Sequence, residues 1–279
     1  MSKAARRGSG TKRKPTQAKY SESLLTYYDI LGFREMIDGK KRKRRPEEIA
    51  KILRGLRDMS GLQFDPCLME SFAFSDTIVR ARGLTPIDGG ADFPNALVSE
   101  LIGIALAQMV LTRDRVIIRG SVTIGRLHFS RGIVFGPALV RAHEIAEKVA
   151  VYPRVVLDPQ ILHKCDSAGC SSQTAEHFGP LLREDTDGLY YVDYLRYFGK
   201  ENGPKPPLLE EHRSMIIEKG SDCDCLDRKS AKINWLAHYH NSTVNAYSEE
   251  TLKKWGCSRA DLLVPLDAIK TTYDLGEGA

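Results

Sequence analysis

Two aspartates end apolar segments of the chain, where a carboxylate needs a partner. Asp29 lies in residues 27–33, YYDILGF, a pattern that predicts a buried strand followed by a glycine turn. Burial of an unpaired carboxylate is costly, and a divalent cation such as Mg²⁺ or Mn²⁺ is one partner that offsets this cost. Asp76 has a similar setting in ESFAFSDTIVRA. The two carboxylates are therefore candidate ligands of one metal site.

The elements around these aspartates would have to bring them together. Apolar periodicity and turn residues predict, in order, a strand at 23–30, helices at 33–37 and 47–59, a strand hairpin at 68–74 and 77–82, a helix at 94–111, a strand at 116–125, a helix at 138–149 and a strand at 154–157. Asp76 would lie at the tip of the hairpin. This order matches a βααββαβ, ferredoxin-like sandwich of the α/β (α+β) class.

Composition sets the class of protein. With 279 residues, 42% of them hydrophobic, the chain can bury a large core. The longest apolar segment, 96–111, is interrupted by Ser99, Glu100 and Gln108, so we predict a buried helix and no membrane span. The N-terminus lacks an apolar signal core. We expect a cytoplasmic protein whose six cysteines are reduced thiols.

The chain divides into three predicted regions. Residues 1–20 are predicted to be a disordered basic tail, 21–160 a compact catalytic domain, and 161–279 a mainly helical extension packed on that domain. In the extension we predict a helix near 174–182, a short strand at 189–194, and helices at 208–218 and 231–247.

Positive charge is concentrated in two clusters, one before residue 20 and the other at 40–45, KKRKRR. Neither cluster is interleaved with the aromatic side chains that single-strand binders use, so we do not expect a nucleic-acid partner. A disordered tail explains the first cluster and a solvated loop explains the second, without a binding role for either. The second cluster also fits attraction of a polyanionic nucleotide towards a nearby site.

Four motifs follow one another along the chain: Asp-Ile-Leu-Gly-Phe at 29–33, the hairpin Asp76, an R-x-G-type strand at 119–125, and a glycine-initiated helix and strand at 136–157. Together they resemble the class III nucleotidyl cyclase homology domain over residues 22–158. Within it, the segments VFGPALVRAHEIAEKVAVYPR and KINWLAHYHN and the FSDT hairpin are most similar to the pyrimidine cyclases of the Pycsar anti-phage systems.

The resemblance implies a function and a set of roles. Asp29, the Ile30 carbonyl and Asp76 would bind two Mn²⁺ or Mg²⁺ ions, and UTP or CTP would be cyclised to the 3′,5′-cyclic monophosphate. The active sites would form between the two chains of a homodimer. From the residues themselves, the backbone amides of 31–33 could bind phosphates at the glycine turn. Tyr27 faces the same side as Asp29 and is either a nucleotide contact or a core aromatic.

The chain departs from this family in two places. Purine cyclases carry Asn and Arg four residues apart on the helix after the fourth motif, where this chain has Val140 and Glu144. Arg141 is the candidate replacement, with Arg119 and Arg154 as other possibilities. The purine-selecting position on the strand before Asp76 is the apolar Phe72, which favours a pyrimidine base.

Other classes of protein are alternative interpretations of this sequence. Diguanylate cyclases need a GG[DE]EF hairpin that AFSDTI does not provide, and a polymerase palm would need a template-binding domain. A zinc or redox module could use Cys165, Cys170, Cys223 and Cys225, although their spacings differ from CxxC pairs. A cyclase fold that only binds nucleotide or metal is the remaining alternative.

Overall fold

The computed structural model shows one mixed sheet with helices on both faces. The structure describes residues 18–40, 42–58, 69–84, 93–130, 132–167, 179–196, 206–221 and 228–269. Its first elements are β1 (Ser21–Leu31), α1 (Phe33–Asp38), α2 (Pro46–Asp58), β2 (Met69–Phe74), β3 (Thr77–Gly83), α3 (Phe93–Arg113), β4 (Ile117–Ser130), β5 (Ile133–Phe135), α4 (Pro137–Lys148) and β6 (Val155–Leu157).

The later elements belong to the predicted extension. They are α5 (Pro159–Ser167), β7 (Leu182–Glu184), β8 (Tyr190–Val192), α6 (Pro206–Ser221), α7 (Arg228–Asn245), α8 (Glu249–Lys254), α9 (Arg259–Leu262) and a 3₁₀ turn at Leu266–Ala268. In its described part, this region is mainly helical. The helix predicted near 174–182 falls mostly outside the described residues, and Leu182 itself belongs to β7.

The strand order confirms the predicted fold class. The sheet runs β2-β3-β1-β4-β6-β8-β7, with β5 paired to β4. The first four strands in this row are antiparallel neighbours in the order of a ferredoxin-like sandwich. Next to β4 lies β6, which is parallel to it. β8 then pairs with β6, so the extension continues the same sheet.

The alternation of side chains along β1 divides the core between the two faces of the sheet. Leu24, Tyr28 and Ile30 face the large apolar cluster that holds α3 and the helices of the extension. Leu25 and Tyr27 face a smaller cluster under α4. Asp29 follows the second set, so it lies on the α4 face.

Helix α4 begins where the backbone leaves room for no side chain. At Gly136 φ is 147°, and a Cβ atom there would lie 2.6 Å from the Arg126 carbonyl oxygen. Pro137 then occupies the first helical turn, where its missing N–H costs nothing. Ala138 and Ala142 let the helix approach the sheet closely. The C-terminal end of α4 is thereby directed towards the end of β1.

Helix α3 is long and apolar enough to cross a membrane, but most of its apolar side chains are buried inside the fold. One polar residue fixes its position. Glu100 is 1% exposed and accepts hydrogen bonds from Arg82 Nε at 2.8 Å, Arg80 Nη2 at 3.2 Å and Thr26 Oγ1 at 2.8 Å. Burial alone would raise the pKa of Glu100, but the two arginines hold it below the usual value.

A buried histidine pair joins α6 and α7. His240 Nε2 donates to the Leu262 carbonyl at 2.8 Å, so its Nδ1 accepts from His212 Nδ1 at 3.0 Å, and His212 Nε2 accepts from the Tyr194 hydroxyl at 2.7 Å. Burial lowers the pKa of His240 to about 4. Each ring nitrogen therefore has a protein partner. His238, two residues before His240 on α7, is exposed, so these two histidines form no metal site.

We expect Glu100→Gln to destabilise the fold by about 3–5 kcal/mol, because it removes a buried carboxylate charge that both Arg80 and Arg82 contact. Urea unfolding followed by circular dichroism measures this. The matched control is Glu211→Gln, which removes an exposed pair with Arg113 and should change stability by less than about 1 kcal/mol. Equal effects of the two substitutions would contradict a structural role for the buried cluster.

Candidate active site

The candidate site is built at the end of β1, which is hydrogen-bonded on both edges. Asp29 lies opposite Thr77 of β3 and opposite Arg119 of β4. Directly opposed residues in antiparallel strands present their side chains on the same face. The register therefore groups the side chains of all three residues on the α4 face.

Asp76 reaches the same place through the β2–β3 hairpin. Its carbonyl accepts a hydrogen bond of 3.1 Å from the Ile30 amide, so the tip of the hairpin lies against the residue that follows Asp29. Ser75 makes the tight turn possible with φ of 57°. The structure thus brings together the two predicted carboxylates and the Ile30 backbone.

Arg119 and Glu147 complete the charges around Asp29. Arg119 Nε donates to Asp29 Oδ2 at 2.8 Å, and its Nη2 donates to Glu147 Oε1 near the end of α4. Burial raises the pKa of Asp29; Arg119 opposes this, while the negative charges of Asp76 and Glu147 add to it. The negative charges of Asp29, Asp76 and Glu147 therefore surround the single positive charge of Arg119.

Gly120 lets β4 approach β1 at the site. A Cβ atom on Gly120 would lie 2.1 Å from the carbonyl oxygen of Tyr27, a distance that no packed structure tolerates. The Gly120 amide donates instead to the Arg154 carbonyl at 3.1 Å, at the start of β6. Glycine at 120 thus keeps the neighbouring Arg119 close to Asp29.

The donor atoms fit a hard divalent cation. Asp29 and Asp76 offer carboxylate oxygens and Ile30 a carbonyl oxygen, the ligand type that Mg²⁺ and Mn²⁺ take. The excess of negative charge around Asp29 is what such an ion offsets. Within the described ranges, no group of three or more His, Cys, Asp or Glu side chains is arranged to hold a metal. The candidate therefore depends on this carboxylate pair and the backbone.

The predicted nucleotide-binding residues surround the same strand end. Tyr27 is 7% exposed, with its hydroxyl 3.3 Å from Thr77 Oγ1 and its ring edge-on to His143. Gly32 makes the turn with φ of 78°, and the Phe33 side chain is buried in the core. Only the backbone of Phe33 could thus contact a ligand. A nucleotide role for Tyr27, for Gly32 and for the half-buried Leu31 stays a prediction.

Arg141 lies elsewhere on α4. Its guanidinium binds Asp158 in bidentate fashion, with distances of 2.9 and 3.0 Å, and Asp158 also accepts from Thr123 at 2.7 Å. Thr123 is four residues beyond Arg119 on β4, about 13 Å along the strand. The structure does not bring Arg141 to Asp29 within one chain. Its catalytic role stays a prediction.

The other arginine considered, Arg154, is buried and binds Asp185 and Asp187. Its role is therefore to join β6 to the turn between β7 and β8. Glu147 was not predicted as part of the site. Its distance from Asp29 in the sequence hides the contact.

The cysteine alternative gains no support. Cys165 and Cys257 do not form a disulfide, and burial raises the pKa of the Cys257 thiol, which disfavours a thiolate. The other predicted members, Cys170, Cys223 and Cys225, lie outside the described residues.

No family model and no curated protein matches this chain. Solved structures with a similar course of the backbone include the monomeric guanylyl cyclase domain of the RhoGC fusion protein from the aquatic fungus Blastocladiella emersonii. Its identity to this chain is 12% and the TM-score is 0.41, and the match covers 63% of this chain and 98% of that chain. An adenylate/guanylate cyclase/hydrolase from Silicibacter pomeroyi has 14% identity and a TM-score of 0.38, with coverages of 63% and 98%. The guanylyl cyclase Cya2 has 12% identity and a TM-score of 0.36, and the match covers 68% of this chain and 97% of that chain.

We expect Gly120→Ala to destabilise the protein by about 1–3 kcal/mol, because the added methyl group forces β4 away from the Tyr27 carbonyl. Thermal and urea unfolding measure the change. Gly55→Ala in α2 is the matched control, since a Cβ atom there meets nothing within 4 Å and alanine favours a helix. A Gly120→Ala protein as stable as the wild type would contradict the close approach of the two strands.

Proposed function

We propose that this chain is a nucleotidyl cyclase that converts a pyrimidine ribonucleoside triphosphate to its 3′,5′-cyclic monophosphate and pyrophosphate. UTP is the first choice of substrate and CTP the alternative. The observation that carries the proposal is the juxtaposition of Asp29 and Asp76 on hydrogen-bonded strands, with Arg119 beside them. Carboxylates that converge next to an arginine suit a reaction in which a triphosphate must be bound and its charge offset.

The proposed cofactors are two Mn²⁺ or Mg²⁺ ions held by Asp29, Asp76 and the Ile30 carbonyl. When bound, such ions lower the pKa of the attacking 3′-hydroxyl and neutralise the triphosphate. The chain's part is to hold both carboxylates ionised and correctly spaced. The Ile30–Asp76 hydrogen bond supports this, since it fixes the hairpin tip to β1.

Arg119 has a second role in this proposal. In the structure it neutralises Asp29, and its side chain is 13% exposed. A cation at Asp29 would take over that neutralisation and leave the guanidinium free to bind a phosphate oxygen, while Glu147 holds its other end. Arg119 would then stabilise the charge that develops on the α-phosphate and on the leaving pyrophosphate.

The choice of a pyrimidine and the biological role rest on the resemblance to Pycsar cyclases. Phe72 of β2, where purine cyclases carry a polar residue, supports a base other than a purine. A cyclic pyrimidine nucleotide would act as a second messenger in antiviral defence.

The proposal includes a homodimer with composite sites, as the resemblance implies. Since Arg141 does not reach Asp29 within one chain, it could complete the site only from a partner. Large apolar side chains are exposed on α4 and β5, with Val140 at 62%, Ile133 at 61% and Phe135 at 41%. A second copy that covers them would bring its own α4 against these elements.

One observation favours a non-catalytic alternative. Arg119 already forms an ion pair with Asp29, so this carboxylate has a partner without a metal ion. A module of this fold that binds nucleotide or metal without turnover is therefore the second candidate.

The first test is incubation of the purified protein with each of the four ribonucleoside triphosphates and Mn²⁺, with products separated by chromatography. We expect a cyclic pyrimidine nucleotide from the wild type. Asp29→Asn or Asp76→Asn should lower turnover by more than about 100-fold, beyond the loss usual for a residue that only supports a ligand. Asp267→Asn, an exposed carboxylate, is the control. Consumption of no triphosphate would favour the binding module.

The second test is complementation between inactive variants. Asp29→Asn and Arg141→Gln proteins, each confirmed as folded by circular dichroism, are unfolded together, refolded and assayed. If Arg141 acts across a dimer, mixed dimers carry one intact site, and activity should recover to about one quarter of the wild-type value. Asp29→Asn mixed with Asp76→Asn is the control and should stay inactive. No recovery in the first mixture would rule out Arg141 as the residue supplied by the partner.

A further inference from the structure

A basic cavity of about 570 Å³ lies at the end of β1. It is bounded by the turn at Gly32, by α1 and the loop after it, and by α6 and α7 of the extension. Its volume is within the range of about 300–1,000 Å³ typical of small-molecule sites. The cavity is lined by residues of both the predicted catalytic region and the extension.

Cationic side chains dominate the rim of this cavity. They come from the loop and from both extension helices: Lys40, Arg42, Lys219, Lys229 and Lys232. Among the described residues that line it, Glu35 is the acidic one. Such an excess of one charge in a partly enclosed space attracts anions and concentrates them.

Contacts within the chain hold these cations in place. Lys229 forms an ion pair with Glu35 of α1, and Arg42 Nη2 donates to the Glu218 carbonyl at 2.9 Å. The pKa of Lys219 is lowered to about 8, by burial first and then by the charge of Arg42. The fold therefore keeps like charges close together at a free-energy cost that a bound anion would reduce.

The floor of the cavity is apolar. It is lined by Leu31 at the end of β1, Ile117 at the start of β4, Pro153 just before β6, and Ile233 of α7. A ligand with an anionic end and a less polar end would match both surfaces. None of the described lining residues is aromatic, so the stacking surfaces that single-stranded nucleic acids use are missing from this lining.

We propose that this cavity is a nucleotide site in which the lysines of the extension bind a polyphosphate group and the apolar floor contacts the nucleoside. The proposal goes beyond the cyclase reaction and does not require turnover. Two sources share this chemistry. The polyphosphate could belong to the substrate held at Asp29, because Leu31 and Gly32 lie between the two places, or to a second nucleotide that regulates the enzyme.

Titration calorimetry with inorganic tripolyphosphate, without divalent metal, tests the site directly. The wild type should bind, and the double variant Lys229→Gln/Lys232→Gln should bind at least about tenfold more weakly for each lysine that contacts phosphate. The matched control is Lys254→Gln, which removes the lysine of another exposed pair, Lys254–Glu250, on α8. Its affinity should equal that of the wild type.

Nucleotide stoichiometry then separates the two sources. Titration of UTP in Mn²⁺ into the Asp76→Asn variant, which does not turn over in the proposed reaction, should give one nucleotide per chain, displaced by tripolyphosphate, if the substrate spans both places. Two nucleotides per chain, one of them lost in Lys229→Gln/Lys232→Gln, would indicate a regulatory site. Either result supports the cavity as a nucleotide site.

Absence of tripolyphosphate binding in the wild type would overturn the proposal, as would equal loss in the Lys254→Gln control. So would binding of single-stranded RNA that tripolyphosphate does not displace. A protein that binds tripolyphosphate but cyclises no triphosphate would refute the proposed reaction and leave this site standing. The two proposals can therefore fail separately.

Discussion

The pairing of β1 on both of its edges is the constraint on which the rest of the structure depends. Its neighbours β3 and β4 come from distant parts of the chain, and each is fixed in register by the alternation of apolar residues on the two faces. A shift of one residue would move Asp29 from the α4 face into the apolar core under α3. The register that builds the core therefore also builds the candidate site.

Two partly or fully buried carboxylates show how the surroundings distinguish a structural from a functional group. Glu100 is enclosed by two arginines, which hold its pKa low despite burial. Asp29 has one arginine and two neighbouring carboxylates, and burial with this repulsion raises its pKa. In the first cluster the two guanidinium charges exceed the single carboxylate charge, whereas in the second the carboxylates outnumber the arginine and favour an added cation. Perturbed carboxylates of the second kind are common at functional sites.

The extension takes part in the architecture of the catalytic region. Strands β7 and β8 continue the sheet beyond β6, and α6 and α7 share the apolar cluster of α3. The same helices place Lys219 and Lys229 against α1 and the turn at Gly32. An element that stabilises the fold can thus also supply charge next to a site built by other strands.

The sequence by itself determined the ferredoxin-like class and, apart from β5, the order of elements from β1 to β6, because apolar periodicity and turn residues are local signals. It did not determine that Glu147 shares Arg119 with Asp29, that Arg141 binds Asp158, or that the basic loop meets two extension helices. Those contacts join residues far apart in the chain. Tertiary structure decided them, since charge pairing depends on which side chains the packed core brings within a few ångströms.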